Sequence, residues 1–357
     1  MTTAFDPIKV GSHELKNRIA MAPMTRSRAY GPEQSPTALA AEYYAQRAGA
    51  GLIVTEGTQP NVIGQGYPFT PGLHNDTQVQ AWRAVTDAVH AQGRVIFAQL
   101  MHTGRVGHPD NYSEPLTPVG PSAVQAAGQI FTPEGMKDFV VPREMTPDEI
   151  GQTVEDFVSA ARNAIAAGFD GVELHGANGY LLQQFLSTNA NTRTDAWGGS
   201  PRNRARFTID VVEAVTAAIG AARTALRISP ANPFNDIAED DYTETYPLLL
   251  EAINPLGLAY LHVMETTAPH FTPVLRRAWD GVFVLNPATP NSRTGTEELR
   301  LIDNGTADIV SYGQLFISNP DLPHRLAIGA PLTEADMTKA YAGDHTGYTD
   351  YPTHPTT

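Results

Sequence analysis

Short apolar runs alternate with longer amphipathic segments along almost the whole chain. Each run is apolar almost throughout, which is typical of strands that are buried on both faces of a parallel sheet. The runs lie at 18–24, 51–57, 94–100, 171–176, 224–229, 258–264, 281–286 and 308–313. Their regular spacing predicts a strand in each of them and a helix in most of the intervals.

The intervening segments show the hydrophobic periodicity of helices. The segment at 146–167 begins with Thr146 and Pro147, and Glu149 follows. This is the pattern of a capping box with proline at the first helical position. The other amphipathic segments lie at 78–92, 202–221, 242–254, 294–304 and 321–328.

Eight strands with intervening helices predict an α/β fold, a single-domain (β/α)₈ TIM barrel covering residues 1–357. The rival is a doubly wound open sheet, which would need a glycine-rich turn after the first strand. Residues 21–26 contain no glycine. A long stretch rich in proline and glycine, at about 101–142, is predicted to be a loop insertion after the third strand. Loops of this length usually form lids or binding elements.

Polar residues occur where the predicted strands end. In a TIM barrel these ends meet around the active site, so we expect the side chains to converge. Paired carboxylates, which glycoside hydrolysis needs, are absent from the set. The histidines of the chain have no metal-ligand spacing, so no metal site is predicted. The strand-end residues are Thr25, Glu56, Gln99, His102, His175, Asn178, Tyr180, Arg227, Asn286 and Gln314.

The densest group of these residues is His175, Asn178 and Tyr180. A spacing of three on a helical turn would bring His175 and Asn178 to one side, where two neutral donors can hold a substrate oxygen. A tyrosine is a weak acid that suits protonation of a strongly basic, carbanion-like centre. Arg227 lies among apolar residues and is expected to be buried, so it needs an anion, a fixed acceptor or an internal salt bridge.

Composition excludes several other classes of protein. The chain has 357 residues, of which 41% are hydrophobic and 17% charged, as expected for a globular core rather than a disordered chain. A net charge of −14 argues against binding to nucleic acid or to anionic membranes. Without cysteine, disulfides, thiolate metal sites and cysteine nucleophiles are excluded. We find no signal peptide or apolar span, so a cytoplasmic monomer or homodimer is expected.

Several short motifs occur in a fixed order along the chain. They lie at 15–18, 21–26, 97–100, 121–123, 175–182, 184–186, 193–195, 198–200, 319–322 and 347–352. In these motifs the sequence resembles the old yellow enzyme family of FMN-dependent ene-reductases, and the resemblance covers essentially the whole chain. It implies an NAD(P)H-dependent flavin oxidoreductase that reduces activated C=C bonds of enones, nitroalkenes and related electrophiles.

The resemblance also implies roles for individual residues. His175 and Asn178 would hold the electron-withdrawing oxygen of the substrate, and Tyr180 would protonate the α-carbon after hydride transfer. Tyr67, Met101 and Tyr341 would line the substrate pocket. The FMN ring would lie against Pro23, Met24, Thr25, Gly57, Gln99 and Arg227.

Three departures from the family pattern concern the pocket wall and the FMN phosphate. Met101 replaces the usual tryptophan, which makes this wall more pliable. Asn286-Pro287 and Gly313-Gln314 stand where the family has a glycine-containing turn and a Gly-Arg pair. Proline has no N–H, and glutamine does not replace the charge-assisted contact of a guanidinium.

The altered phosphate residues leave three possibilities open. The first is that the protein binds FMN weakly and loses it on purification, unless Asn291, Ser292 and Arg293 contact the phosphate in place of the altered residues. Another is a ring cofactor with a different tail, such as the deazaflavin F420. The third is a relative without redox function, either a binding protein or an isomerase. The absorption spectrum of the purified protein would distinguish them.

Overall fold

The computed structural model describes residues 2–114, 116–289 and 293–355, and most of its strands form one barrel. The strands are β1 (Ile8–Val10), β2 (His13–Leu15), β3 (Ile19–Met21), β4 (Leu52–Val54), β5 (Val95–Leu100), β6 (Val119–Gly120), β7 (Gln129–Thr132), β8 (Gly135–Asp138), β9 (Arg143–Glu144), β10 (Gly171–Gly176), β11 (Thr224–Ile228), β12 (Tyr260–Met264), β13 (Phe283–Asn286) and β14 (Ile309–Tyr312). Strands β3, β4, β5 and β10 to β14 pair in parallel, and β14 closes the barrel against β3. The closed TIM barrel is therefore confirmed, and the open sheet is wrong.

Helices follow most barrel strands and cover the outside of the barrel. They are α1 (Ala38–Gln46), α2 (Asp76–His90), α3 (Pro147–Ala166), α4 (Leu181–Leu186), α5 (Pro201–Ile219), α6 (Tyr242–Ile253), α7 (Thr272–Ala278), α8 (Arg300–Asp303), α9 (Gln314–Ser318) and α10 (Leu322–Ile328). Among the described residues, no helix has both the length and the apolar character needed to cross a membrane.

The predicted capping box begins α3. The Thr146 hydroxyl accepts a hydrogen bond from the backbone N–H of Glu149 at 3.3 Å. In return, the Glu149 carboxylate accepts one from the backbone N–H of Thr146 at 2.9 Å. These contacts satisfy N–H groups that the first turn of a helix leaves unpaired.

The short helices α4 and α9 are absent from the sequence prediction. Every residue of α4 is buried, and so are the last four residues of α9. A helix without a polar face has no amphipathic period to detect. The predicted helix at 294–304 is also shorter than expected, because a 3₁₀ turn at Thr296–Leu299 precedes α8.

The insertion after the third barrel strand contains more regular structure than predicted. Strands β7 and β8 form an antiparallel hairpin, and β6 pairs with β9. Ile130 and Phe139 of this region pack in one apolar cluster with Met101 and Tyr180. The hairpin therefore lies against residues that end the barrel strands.

Two layers of side chains fill the barrel interior, because residues two apart on a strand share a face. What we call the apolar layer lies towards the N-terminal ends of the strands and packs with Val10 and Leu15 of the β1–β2 hairpin. It consists of Ala20, Leu52, Val54, Phe97, Ala225, Tyr260, Val284 and Ile309. On β5 and on β11 to β14 the residue two positions further along is polar, and with Glu173 of β10 these residues form what we call the polar layer: Gln99, Glu173, Arg227, His262, Asn286 and Ser311.

Candidate active site

A cavity of about 310 Å³, which we call the first or inner cavity, lies at the C-terminal ends of the barrel strands, next to the polar layer. Tyr67, the remaining site residue of the sequence prediction, lies in an adjoining cavity. The predicted site residues in the wall of the first cavity are Pro23, Met24, Thr25, Gly57, Gln99, Met101, His175, Asn178, Tyr180, Arg227, Asn286, Gly313, Gln314 and Tyr341.

Glu56 and His102, which also end barrel strands, are absent from this wall. The carboxylate of Glu56 accepts hydrogen bonds from the backbone N–H groups of Arg26 and Ser27, at 3.0 and 3.3 Å. Nδ1 of His102 accepts one from the backbone N–H of Gly104 at 3.0 Å. Both side chains fix the loops that follow the strands.

The charge of the cavity wall has a single sign. Of the described residues that line it, Arg227 and Arg293 are the charged ones, and both are cations. The chain as a whole has a net charge of −14. Two cations without a carboxylate in the wall of an acidic protein suit a ligand that carries negative charge.

Arg227 is 3% exposed and is held by neutral groups. Nη2 donates to Oδ1 of Asn286 at 3.1 Å, and Nη1 lies 3.3 and 3.4 Å from the two ring nitrogens of His262. Among the described residues, Nε has no hydrogen-bond partner and no carboxylate oxygen lies within 4.0 Å of the guanidinium. A buried N–H of a cation that lines a cavity requires an acceptor, which a bound ligand can supply.

A network of polar-layer residues lies beneath the cavity, and the sequence prediction misses its members Glu173, His262 and Ser311. The Glu173 carboxylate accepts from Nε2 of Gln99 and lies 2.8 Å from Nδ1 of His262. Nε2 of His262 lies 2.8 Å from the Ser311 hydroxyl. The signal was present, since a glutamate and a histidine interrupt otherwise apolar strands.

His175 and Asn178 lie in the same wall, but a helical turn is not the reason. Asn178 has a left-handed backbone with φ 57°, which asparagine tolerates better than most residues. Its backbone N–H donates to the Ser229 hydroxyl at 2.9 Å, and its Oδ1 accepts from Nδ2 of Asn232 at 2.9 Å. The amide oxygen is thereby occupied, and the NH₂ group is the end that remains for a ligand.

His175 is a neutral donor. Burial, together with the nearby charge of Arg227, lowers the pKa of His175 to about 3. Among the described residues its Nδ1 has no hydrogen-bond partner. An imidazole that lines a cavity and has an unpaired nitrogen can bind a polar atom of a ligand.

Tyr180 lies at the start of α4, and 6% of it is exposed. Its hydroxyl lies 3.1 Å from the hydroxyl of Tyr67. The two ring centroids of Tyr180 and His175 are 5.0 Å apart. Burial is the main cause that raises the pKa of Tyr180 well above its ordinary value of 10. The hydroxyl therefore stays protonated until a strong base removes the proton.

Gly57 and Met101 contact each other in the cavity wall. A Cβ atom on Gly57 would lie 2.5 Å from the sulfur of Met101. Any side chain at position 57 would therefore displace Met101. The glycine therefore lets Met101 pack directly against the backbone of this wall.

The adjoining outer cavity measures about 630 Å³ and also borders Thr25, Tyr180 and Tyr341. The sequence prediction names Tyr67 and Tyr341 of this space and misses its other lining residues, because these come from loops that are distant in the chain. Tyr341 is 60% exposed at its entrance. The apolar side chains that line it are Tyr67, Pro68, Phe69, Ile130, Phe131, Met136, Phe139 and Phe234.

The described residues expected near a phosphate all line the first cavity. Gly313 and Gln314 precede and begin α9, while Asn286 contacts Arg227 instead. Arg293 lines the cavity and pairs with Glu334 at 2.8 Å, with 34% of its side chain exposed. Asn291 and Ser292 lie outside the described residues.

Comparisons with known proteins agree with this geometry. Residues 3–333 match the family described as "NADH:flavin oxidoreductase / NADH oxidase family". The chain is 40% identical to 12-oxophytodienoate reductase 1 of Oryza sativa subsp. japonica, over 97% of this chain and 92% of that protein. It is also 40% identical to a probable flavin mononucleotide-dependent alkene reductase of Leishmania infantum, over 97% and 96% of the two chains.

Solved structures give the same result. An old yellow enzyme homologue from Zymomonas mobilis superimposes with a TM-score of 0.94 at 40% identity, covering 98% of this chain and 99% of the other. Morphinone reductase superimposes with a TM-score of 0.92 at 39% identity, covering 99% and 96%. This chain therefore belongs to the NADH:flavin oxidoreductase family that includes the old yellow enzyme homologues, which confirms the resemblance found in its sequence.

Proposed function

We propose that this protein uses FMN and NAD(P)H to reduce activated C=C bonds of small molecules. The observation that supports this most directly is the wall of the inner cavity. It combines the cationic Arg227 on one barrel strand with the neutral His175 on the next and with Tyr180, whose hydroxyl remains protonated. The deazaflavin alternative has no support among the relatives, one of which is described as FMN-dependent.

The residues of the inner cavity fit an FMN ring. Arg227, with its unpaired Nε, would face the part of the ring where negative charge collects on reduction. Gln99 would bind the pyrimidine edge, and Pro23, Met24 and Thr25 would line the ring. Bound by these residues, FMN would supply the hydride-transfer chemistry that couples oxidation of the nicotinamide to reduction of the β-carbon of the alkene.

His175 and Asn178 would hold the oxygen of the electron-withdrawing group. Each presents a neutral donor, and the hydrogen bond from Asn232 to the amide oxygen of Asn178 turns the NH₂ group of Asn178 towards the ligand. Fixed donors stabilise the negative charge that develops on this oxygen as hydride reaches the β-carbon. Because His175 is neutral, it polarises the oxygen without requiring a proton from solvent.

Tyr180 would give its hydroxyl proton to the α-carbon, so that hydride and proton together saturate the double bond. The phenolate that remains is buried, which makes it a strong base that must regain a proton. Tyr67 would relay a proton from the solvent of the outer cavity, giving its own hydroxyl proton to Tyr180 and taking one from water, because its hydroxyl lies 3.1 Å from that of Tyr180 and its side chain lines the outer cavity.

The outer cavity would accommodate the apolar part of the substrate. Its aromatic walls continue from Tyr180 towards solvent, and apolar surfaces of this kind favour hydrocarbon ligands. Met101 would form an adaptable side of the inner cavity.

Arg293 would bind the phosphate of FMN in place of the arginine that the family has at position 314. It is the second of the two cations in the wall, and it lies in the same cavity as Gly313 and Gln314. Its present partner, Glu334, is 78% exposed, so exchanging this partner for a phosphate costs little.

The function is tested by following the flavin absorbance of the purified protein without oxygen. We expect the visible absorption spectrum of oxidised FMN. Its visible bands should be lost on addition of NADPH or NADH and should return when an enone is added. A protein that binds no flavin after reconstitution with FMN would contradict the proposal and favour the binding protein or isomerase.

The phosphate proposal is tested by titrating apo-protein with FMN and with riboflavin, which lacks the phosphate. Arg293→Ala should weaken FMN about 10- to 100-fold, the loss of one charge-assisted hydrogen bond, and should leave riboflavin unchanged. Arg276→Ala is the matched control, because Arg276 has a similar exposure of 32% and pairs with Asp308 away from the cavity. Equal affinities of the Arg293→Ala variant and the unaltered protein for FMN would contradict the role of Arg293.

Gln314→Arg provides the converse test. Restoring the family's arginine should tighten FMN and not riboflavin, because only FMN has the phosphate. If it tightens both ligands equally, the change acts on the ring or on the fold, and Gln314 does not lie at the phosphate.

A further inference from the structure

We propose that Glu173 is a positioning residue that sets the reduction potential of the bound flavin, acting through Gln99, His262 and Arg227. The inference rests on the proposed FMN site. Glu173 is fully buried on β10 and is absent from the cavity wall, so it acts through residues that are themselves in or beneath that wall.

The contacts of Glu173 join strands on both sides of it. One carboxylate oxygen accepts from Nε2 of Gln99 at 2.8 Å. The other accepts from the Tyr260 hydroxyl at 3.0 Å and lies 2.8 Å from Nδ1 of His262. Gln99 lies directly opposite Glu173 in the β5–β10 register, and Arg227 lies opposite His262 in the β11–β12 register.

Glu173 is an anion in this network. Burial alone would raise the pKa of its carboxyl, but the contact with His262 most of all, and then the charge of Arg227 and the hydrogen bond from Gln99, hold that pKa below its ordinary value. His262 is neutral, because burial and Arg227 lower its pKa to about 4. The polar layer therefore contains one anion and one cation, and Glu173 offsets part of the charge of Arg227 at the cavity.

The ionised carboxylate also fixes two neutral side chains. A carboxylate only accepts hydrogen bonds, so the amide of Gln99 must turn its nitrogen towards Glu173 and keep its oxygen for the cavity. For the same reason His262 presents Nδ1–H to Glu173, which leaves Nε2 to accept from Ser311. The orientation of both residues therefore depends on Glu173.

A purely structural role for this network would leave the potential of the flavin unchanged. An electrostatic role would not, because a reduced flavin carries more negative charge than an oxidised one. Without the anion, the charge of Arg227 would act undiminished on the ring and would favour the reduced state. The sign of a change in potential therefore distinguishes the two roles.

The test is the reduction potential of bound FMN in two variants with opposite expected signs. Glu173→Gln removes the charge and keeps the shape, so reduced FMN should bind at least about tenfold tighter relative to oxidised FMN, a rise of about 30 mV for a two-electron couple. Tyr260→Phe removes one donor from the carboxylate and strengthens its field at Arg227. It should lower the potential by a smaller amount.

Glu239→Gln is the matched control. Glu239 is a buried acid that accepts hydrogen bonds from Tyr246 and Gln183 outside the inner cavity. Because burial raises the pKa of Glu239 to about 7, the potentials are compared at about pH 8, where this carboxyl is ionised and its loss should leave the potential unchanged. An unchanged or lowered potential in folded, flavin-bound Glu173→Gln protein would overturn the proposal. If Glu173→Gln does not fold, Tyr260→Phe decides: a lowered potential supports the role, and an unchanged one contradicts it.

Failure of the proposed function gives a different result. The unaltered protein would then bind no FMN and have no flavin potential to compare. If the unaltered protein binds FMN and its reduction potential can be measured, but the variants show no shift, then only the role of Glu173 is contradicted and the proposed function stands.

Discussion

The apolar and polar layers of the barrel interior come largely from the same strands, yet one closes the barrel and the other borders the ligand cavity. Phe97 and Ala225 lie in the apolar layer, and two residues further along the same strands lie Gln99 and Arg227. The β1–β2 hairpin packs against the apolar layer, whereas the inner cavity borders the polar layer. Water is therefore excluded at one end, and a ligand is admitted at the other.

This comparison shows how one fold separates stability from chemistry. Parallel strands all end on the same side, so their last inward-facing residues converge and can be polar where a ligand completes their hydrogen bonds. At the opposite end the β1–β2 hairpin covers the strands, and unpaired polar groups beneath it would be costly. We therefore expect substitutions in the two layers to separate into effects on binding or catalysis and effects on folding.

The largest effect is expected at the cavity end, from Tyr180→Phe. Loss of a positioned general acid should slow oxidation of the reduced enzyme by an enone about 10²- to 10⁴-fold. Reduction of the enzyme by the nicotinamide needs no such proton and should change little. Stopped-flow traces of the two half-reactions measure both rates.

Tyr112→Phe is the control for this experiment, because Tyr112 is also buried but donates to the backbone of Ile63 rather than lining the inner cavity. It should leave both half-reactions unchanged. An enone step of normal rate in Tyr180→Phe would remove Tyr180 from the role of acid.

In the apolar layer the expected effect is on folding. Phe97 is fully buried, and its ring centroid lies 5.5 Å from that of Tyr260. Phe97→Ala should lower the free energy of unfolding by about 3–5 kcal/mol, through lost burial and the cavity that remains. Denaturant unfolding measures this change.

Gln99→Ala, two residues along the same strand, sharpens the contrast. It should weaken FMN more than it lowers the free energy of unfolding, while folded Phe97→Ala protein should bind FMN almost normally. If the two variants lose FMN affinity and unfolding free energy to the same extent, the distinction between the two layers is contradicted.

The smallest effect is expected when ligand affinity is measured as a function of pH. Because the pKa of His175 is lowered to about 3, this side chain stays neutral from pH 5.5 to 8. The affinity for a saturated ketone without ionisable groups should therefore vary little over this range, as measured by the flavin spectrum. An inflection near pH 6.5, the ordinary histidine pKa, would show that His175 titrates in the site.

The same shift has a consequence for folding. Below pH 6.5 the unfolded chain takes up a proton at His175, and the folded protein does not until about pH 3. The unfolded state then binds more protons, so the contribution of His175 to stability falls as the pH falls through this window.

Much of the fold could be predicted from the sequence because its signals are local. The apolar runs identify the barrel strands, and Thr146 with Glu149 identifies the start of α3. Helix α4 has no such signal, since all of its residues are buried. The spacing of His175 and Asn178 suggested a helical turn, but hydrogen bonds to Ser229 and Asn232 hold Asn178 in a left-handed turn instead.

The sequence by itself determined that there are eight buried strands and that polar residues end most of them, because apolar runs and strand ends can be recognised within a few neighbouring positions. Only the tertiary structure decided which of those residues meet. His262 and Glu173 are 89 positions apart, and Arg227 and Asn286 are 59 apart. Their contacts depend on the strand register and on closure of the barrel, which no local pattern specifies.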